Sequence, residues 1–240
     1  MSKRKKTYFN WSTGKDSAMA LFTTLQNNNQ LEITALVTAI NAHHNRVSMH
    51  GLRRELLQQQ AKVLNLPLHT IELPQNPSME VYTNKMEAMV QKLKKEGYTD
   101  CIFGDIFLED LRQYRENQLE KLAIKSHFPL WKKDTKKLIL EFIDRGFKAI
   151  VLTINANQLD QSFLGRTIDK EFIQDLPKGI DPCGENGEFH TFCYDGPLFD
   201  KAIGFEIGEK IYKTYPSPQK EKEELGFWFL DLIPTDYYKN

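Results

Sequence analysis

Ser12-Thr13-Gly14-Lys15-Asp16-Ser17 follows a short aromatic run at residues 7–11. Its last two residues begin a segment, residues 16–25, whose apolar side chains recur at helical spacing. The pattern predicts a strand, a tight polar turn and a helix. The first N–H groups of a helix lack intrahelical partners, and the helix dipole favours an anion there. Gly14 allows close backbone approach, and Lys15 supplies a charge that we expect to be exposed to ligand. The stretch therefore predicts a phosphate-binding loop.

Two common phosphate loops do not fit this stretch. A Walker loop needs glycine at the position of Phe9 and Ser or Thr at the position of Asp16, and a GxGxxG fingerprint is absent. The six residues instead resemble the PP-loop signature SGGKDS, with Thr13 in place of the first glycine. That resemblance implies ATP, accompanied by Mg²⁺, cleaved between its α- and β-phosphates. A helix capped by Ser12 or Asp16, without a ligand, is the alternative.

Strand and helix patterns alternate as far as residue 124. Apolar runs predict strands at residues 33–40, 68–73 and 101–103, and helical stripes predict helices at 52–64, 78–96 and 108–124. This alternation indicates an α/β fold with a parallel sheet, whose ligands bind at the carboxyl ends of the strands. We assign residues 1–130 to this domain, and the resemblance of its loop to the PP-loop signature implies a Rossmann-like domain of the HUP/PP-loop type.

The pattern changes after residue 131. A helix is predicted at residues 135–145 and a strand at 147–154, followed by a Gly/Pro-rich acidic segment at 177–197 and short strands at 203–207 and 227–230. We assign residues 131–240 to a smaller α+β domain.

Composition narrows the function classes. Lys and Arg total 32, equal to Asp and Glu, which argues against bulk nucleic-acid binding. No run approaches the roughly 20 apolar residues of a membrane span, and no signal-peptide core follows the basic start. Cys101, Cys183 and Cys193 are odd in number and lack CxxC spacing, so we expect no disulfide framework, no metal site and a reducing, cytoplasmic location.

Further motifs accompany the loop. They are Val47-Ser48-Met49-His50-Gly51-Leu52-Arg53, Leu64-Asn65-Leu66-Pro67-Leu68, Phe103-Gly104-Asp105-Ile106, Asp181-Pro182-Cys183-Gly184-Glu185-Asn186-Gly187-Glu188-Phe189-His190-Thr191-Phe192 and Tyr194-Asp195-Gly196-Pro197. Together they resemble the diphthine–ammonia ligase family over nearly the whole chain. The resemblance implies an ATP-dependent amidation in which a carboxylate of a protein side chain or small molecule is adenylated and ammonia then displaces AMP. A homodimer is left open.

The resemblance also implies a role for each of several residues. Catalytic roles go to Lys15, Glu185, Glu188 and His190. ATP contacts go to the six loop residues with Gly104 and Asp105, the latter also a Mg²⁺ candidate. Substrate contacts go to His50, Arg53, Gly187 and Thr191.

Residue chemistry supports part of this assignment. Alternation in an extended segment predicts Glu188 and His190 on one face, where they could move a proton of ammonia. We expect this motif to approach the ATP site from the second domain. Arg53 begins a helix, where a cation is mildly unfavourable, so it either faces an anion or lies on the surface.

Two departures concern the acceptor. Asn186 replaces a glycine and His190 an acid of the diphthine-using pattern, a variant similar to bacterial members, some of which have been associated with corrinoid salvage. Rival interpretations are another PP-loop enzyme, such as a tRNA thiolase or an NAD-synthase-like amidotransferase, and a non-catalytic nucleotide-binding module.

Overall fold

The computed structural model describes residues 4–215 and 225–235 of the chain. Its first sheet contains five parallel strands in the spatial order β4-β2-β1-β5-β6, and the short β3 pairs antiparallel with the end of β2. The strands are β1 (Lys5–Asn10), β2 (Leu31–Asn41), β3 (Arg46–Val47), β4 (Leu68–Leu73), β5 (Asp100–Ile102) and β6 (Lys125–His127). Chain order reverses at β1, which creates a crevice at the carboxyl ends of β1 and β5.

Helices cover both faces of this sheet. Successive side chains of β1 point to opposite faces, and both faces carry apolar side chains that the helices bury. Phe9 packs in the core beneath α1 and α2, whereas Tyr8 packs in the separate core beneath α3 and α4. The helices are α1 (Lys15–Asn27), α2 (Arg54–Val63), α3 (Met79–Lys95), α4 (Glu109–Glu120), α5 (Thr135–Asp144) and α6 (Lys170–Asp175).

The second sheet is antiparallel and has four strands in the order β8-β7-β10-β9. They are β7 (Lys148–Asn155), β8 (Phe189–Asp195), β9 (Phe205–Tyr215) and β10 (Leu225–Pro234). The predicted fold class, a Rossmann-like parallel sheet followed by a smaller α+β part, is confirmed.

Three strands, β3, β6 and β8, were missed by the sequence patterns. Strand β8 lies inside the segment predicted to be an irregular Gly/Pro-rich stretch, and β6 begins directly after the predicted end of the helix at residue 124. Both are short and surrounded by turn residues, so their pairing partners, β7 and β5, decide their conformation.

One core joins the two sheets. Phe9 and Leu21 of the first sheet's layer belong to the same buried cluster as Ile150 and Phe192 of the second sheet. This shared core fixes β8 against the first turn of α1 and thereby positions the candidate site.

Candidate functional site

A cavity of about 770 Å³ opens at the carboxyl edge of the first sheet. Its wall is formed by the loop after β1, the loop after β5 and the segment that leads into β8. The residues predicted as site residues that line it are Ser12, Lys15, Asp16, Ser17, His50, Gly104, Asp105, Glu185, Gly187, His190 and Thr191. Thr13, Gly14, Arg53 and Glu188 do not line it.

The predicted phosphate loop is held by the second sheet. Gly14 is the N-cap of α1 and provides no capping side chain, and the Lys15 backbone N–H donates to Thr191 Oγ1 at 3.1 Å. The Cys193 N–H donates to the Thr13 carbonyl at 2.9 Å. A Cβ at Gly14 would lie 3.1 Å from the Thr191 carbonyl oxygen, so a larger residue would crowd this approach. The motif of the second sheet thus contacts the loop directly.

The Lys15 side chain differs from expectation. It was predicted to be exposed to ligand, but only 4% of it is exposed. Its Nζ donates to Asp16 Oδ2 at 2.8 Å and to the Cys183 carbonyl. Burial opposes the charge, but the neighbouring Asp16 outweighs it and raises the pKa of Lys15. The ammonium is therefore held beside the cavity by the motif segment.

Gln60 was not predicted from the sequence, yet it connects three parts of the site. It is fully buried on α2, and its Nε2 donates to the carbonyls of Thr13 and Cys193 at 2.9 and 2.7 Å. Its Oε1 accepts from Trp11 Nε1 at 2.8 Å. The sequence feature that could have identified Gln60 is its position in the apolar stripe of α2, four residues after Leu56.

The loop after β5 brings Gly104 and Asp105 to the first turn of α1. A Cβ at Gly104 would lie 3.1 Å from the Ser17 backbone nitrogen, so a side chain there would displace the helix terminus. Asp105 Oδ2 forms an ion pair with Arg115 Nε of α4 at 3.2 Å. Burial raises the pKa of Asp105 despite Arg115. A carboxylate and a guanidinium therefore share this side of the cavity.

Glu185 contacts the segment that follows β5 of the first sheet. Its Oε1 accepts from the backbone N–H groups of Ile106 and Phe107 at 2.8 and 3.3 Å. Burial, followed by the nearby Asp16, raises the pKa of Glu185 to about 7. A carboxyl group with this pKa exchanges protons near neutral pH, as a general base requires.

Glu188 occupies a different place from the one predicted. It precedes β8, so the strand alternation that would align it with His190 does not extend to it. Its buried carboxylate accepts from the backbone N–H groups of Asp181 and Asn186 at 2.9 Å each, and from Asn186 Nδ2 at 3.1 Å. Glu188 thus closes the turn that presents Glu185, in which Gly187 has a positive φ of 83°.

His50 and His190 form a stacked pair on the cavity wall. Their ring centroids are 4.7 Å apart with an interplanar angle of 25°. Burial, followed by Lys15, lowers the pKa of His190 to about 4, and burial, followed by His190, lowers the pKa of His50 well below its usual value. His50 Nδ1 is buried without a hydrogen-bond partner among the described residues. Both rings are therefore neutral at pH 7.

Arg53 faces an anion, but the anion belongs to the protein. Its Nε donates to Asp231 Oδ1 of β10 at 2.9 Å, and Arg46 reaches the same carboxylate at 2.8 Å. Both arginines lower the pKa of Asp231. These two arginines tie β3 and the start of α2 to the second sheet.

The three cysteines are free and buried. Burial raises the pKa of each thiol, that of Cys101 to about 12. Within residues 4–215 and 225–235, no group of three or more His, Cys, Asp or Glu side chains is arranged to hold a metal ion. In the same part of the chain, no helix combines the length and apolar character that a membrane crossing requires.

Comparison with known proteins identifies the family. The diphthamide synthase N-terminal domain matches residues 5–126, and the diphthamide synthase C-terminal domain matches residues 134–221. Human diphthine–ammonia ligase is 30% identical over 166 residues, which cover 63% of this chain and 62% of the human protein. The Danio rerio enzyme is 26% identical over 166 residues, covering 63% of this chain and 65% of that protein.

The diphthine–ammonia ligase of Schizosaccharomyces pombe is 36% identical over 121 residues, which cover 45% of this chain and 20% of that protein. The matches thus span less than two thirds of the length of these curated relatives. The two domain matches together cover most of the chain and follow its two sheets, so the chain belongs to the diphthamide synthase family.

Proposed function

We propose that this chain is an ATP-dependent, AMP-forming ligase that joins a carboxylate to ammonia. A carboxylate oxygen attacks the α-phosphorus, the bond from that phosphorus to the bridging oxygen breaks, and pyrophosphate leaves. Ammonia then attacks the acyl carbon, AMP leaves and one proton is released. The main support is that Glu185 and His190 line the same cavity as Lys15 and Ser17.

The residues around the loop suit a polyphosphate. Gly14, the N-cap of α1, has no side chain, although Thr191 Oγ1 accepts from the first N–H group of the helix. The hydroxyls of Ser12 and Ser17, 2.7 Å apart, line the cavity together with Lys15. To contact pyrophosphate, Lys15 Nζ would exchange the Cys183 carbonyl for phosphate oxygens. Mg²⁺ would neutralise phosphate charge, and Asp105 offers the carboxylate oxygen that it prefers.

Glu185 is our candidate for the base that accepts the proton of the attacking nitrogen. Its pKa of about 7 leaves a large fraction ionised at neutral pH. The neutral His50–His190 pair adds nitrogen acceptors on the same wall and no competing positive charge. Glu188 keeps a supporting role through the turn that holds Glu185.

Residues 1–130 are proposed as the ATP-binding part and 131–240 as the acceptor part, because the first sheet ends at β6 and the second begins at β7. The names of the relatives support ammonia as the nitrogen donor, and diphthine is one acceptor to test. A tRNA thiolase is less well supported, since a thiolase needs accessible thiolates and these thiols are buried with raised pKa values. The three unpaired thiols also suit a cytoplasmic location.

Nucleotide products test the proposal. With Mg²⁺, ammonia and either a diphthine-bearing elongation factor or a panel of small carboxylic acids, ATP should give AMP and pyrophosphate in equal amounts, measured by chromatography.

Lys15→Ala should lower turnover by roughly 10²-fold or more, because it removes a preorganised charge beside the phosphates. Lys136→Ala, an exposed lysine at the start of α5, is the matched control.

ADP as the main product would contradict the proposal, and so would full turnover in Lys15→Ala. ATP binding without turnover on any acceptor would favour the nucleotide-binding module. Circular dichroism of Lys15→Ala separates a catalytic loss from misfolding, since the variant leaves the Cys183 carbonyl without this donor.

A further inference from the structure

A second cavity of about 560 Å³ lies between α3 and α4. Its floor is Tyr8 of β1 and Phe103, which follows β5. Val90 of α3 and Leu119 of α4 contribute apolar walls, and the Thr83–Tyr114 hydroxyl contact at 3.0 Å bridges the two helices. The cavity thus lies among β1, α3, α4 and the loop after β5, and its volume is of the size that small organic ligands occupy.

This second cavity adjoins the first. The residues that line both are Asn10, Tyr82, Met86, Phe103, Leu111 and Arg115. Asn10 ends β1, and Phe103 leads into the Gly104 loop that touches the first turn of α1. A molecule in the second cavity therefore has access to the phosphate side of the first cavity.

Most of the surface of the second cavity is apolar, and the charged side chains Glu87, Asp110 and Lys121, which also line it, belong to exposed residues. The Tyr8 hydroxyl is buried at the floor beside the Cys101 thiol, without a hydrogen bond of normal geometry among the described residues. Arg115 stacks on Phe103 with its guanidinium carbon 4.3 Å from the ring centroid, at the boundary between the cavities. An apolar body with one polar atom toward Tyr8 and a carboxylate toward Arg115 matches this arrangement.

We propose that the α3–α4 cavity binds the apolar body of the acceptor, and that the acceptor is a small carboxylic acid. This inference rests on the proposed ligase function and changes it in one respect: the apolar body of the acceptor lies within residues 1–130, and residues 131–240 supply the groups that face its reacting carboxylate. A carboxylate carried on a protein side chain would reach the phosphates from solvent and would leave the α3–α4 cavity unused. The cavity therefore distinguishes the two acceptor types left open by the sequence.

Direct binding tests this inference without turnover. 1-Naphthylacetate, 4-phenylbutyrate and octanoate are titrated by calorimetry into the full chain saturated with a non-hydrolysable ATP analogue and Mg²⁺. At least one acid should bind together with the nucleotide. Gln118→Trp, which fills the cavity from α4, should weaken that binding by roughly tenfold or more, equal to ~1.4 kcal/mol.

Gln113→Trp adds the same side chain at an exposed position of α4 that lines neither cavity, and it should leave acid binding within about twofold of the parent. Val90→Trp fills the cavity from α3 and should repeat the loss if Gln118→Trp folds poorly. Affinity for the nucleotide analogue should stay unchanged in each folded variant.

Absence of binding by all three acids overturns the inference. So does binding that is excluded by the ATP analogue, or that survives both cavity-filling changes. A failure of the ligase chemistry appears instead as ADP in the product analysis and leaves these binding results unaltered, so the two failures are distinguishable.

Discussion

At the residue scale, Thr13 occupies a backbone conformation that suits glycine. Its φ is 78°, in the left-handed region that β-branched residues rarely adopt. Its side chain is fully buried, and its hydroxyl has no hydrogen-bond partner among the described residues. The position corresponds to the first glycine of the PP-loop signature, so the departure in sequence carries a conformational cost at this loop.

Thr13→Gly should therefore stabilise the chain. Relief of the left-handed conformation is worth about 1–2 kcal/mol, and the greater freedom of glycine in the unfolded chain offsets about 0.5–1 kcal/mol. Urea denaturation should show a net gain of roughly 1 kcal/mol. Thr13→Ala keeps the Cβ and should gain less; a lower midpoint for Thr13→Gly than for the parent would contradict this account.

Glu185 and Glu188 should respond to pH and mutation in different ways. With free ammonia held constant, kcat/KM for ammonia should rise through pH 7 as Glu185 loses its proton, and this limb should vanish in Glu185→Gln. Stability should fall as pH rises from about 4.5 to about 7, because the folded state holds the Glu185 proton more tightly than the unfolded chain does. Glu185→Gln should flatten that fall.

Glu188→Ala is the contrasting variant. It leaves the Asp181 and Asn186 N–H groups without their acceptor, so it should cost roughly 1.5–3 kcal/mol of stability. Thermal denaturation and the same pH profile are the measurements. Unchanged stability of Glu188→Ala, or an unchanged pH limb in Glu185→Gln, would reverse the assignment of the two roles.

At this scale, the sequence patterns predicted which residues lie near one another. They predicted the role of each residue less well. Glycine and lysine types in the loop, and acids between glycines in the second motif, were enough to predict a shared site. The turn geometry that directs Glu188 inward depends on Asp181 and on the start of β8, neither of which has a local signal. The partner of Arg53 is 178 residues away, beyond the reach of any local pattern.

At the scale of elements, α2 contributes more than a cover for the sheet. Gln60 links α2 to the loop after β1 and to β8 through three hydrogen bonds. Gln60→Leu should keep the volume but remove the donor of the Cys193 carbonyl and the acceptor of Trp11 Nε1. We expect a loss of about 2–4 kcal/mol in the free energy of unfolding and a weaker affinity for ATP.

Gln58→Leu is the control, because Gln58 lies on the same helix and is exposed. Calorimetric ATP titration and urea denaturation measure both effects. Equal behaviour of the Gln58 and Gln60 variants would mean that the three bonds do not hold the loop.

Elements with strong periodicity were predicted closely. Strand β4 was predicted at its observed bounds, and α3 within one residue at each end, since Ser78 caps it and Gly97 follows it. β8 could not be predicted because its conformation comes from pairing with β7, and because glycine and proline residues on both sides resemble a loop.

At the scale of the whole molecule, the two sheets share a core and should unfold together. Phe9, Ile150 and Phe192 belong to one buried cluster, and the loop after β1 is bonded to β8. Differential scanning calorimetry should give a single transition with equal van't Hoff and calorimetric enthalpies. Phe192→Ala should lower the free energy of unfolding by about 3–5 kcal/mol. The whole transition should therefore move to lower temperature.

Two separated transitions would contradict this view, as would a Phe192→Ala variant in which only the second sheet melts early. The same reasoning predicts that residues 1–130 expressed alone bind ATP poorly, because Thr191 and Cys193 are then absent from the loop.

The bond between the Lys15 N–H and Thr191 Oγ1 joins groups 176 residues apart, so it has a consequence for the timing of protein synthesis. A ribosome that adds about 5–20 residues per second needs roughly 10–35 s to travel from one to the other. During that interval the nascent loop lacks its support from β8. Chains that terminate before residue 191 therefore carry an incomplete form of the proposed nucleotide site, and the proposed ATP-consuming activity requires that translation pass Thr191 and Cys193.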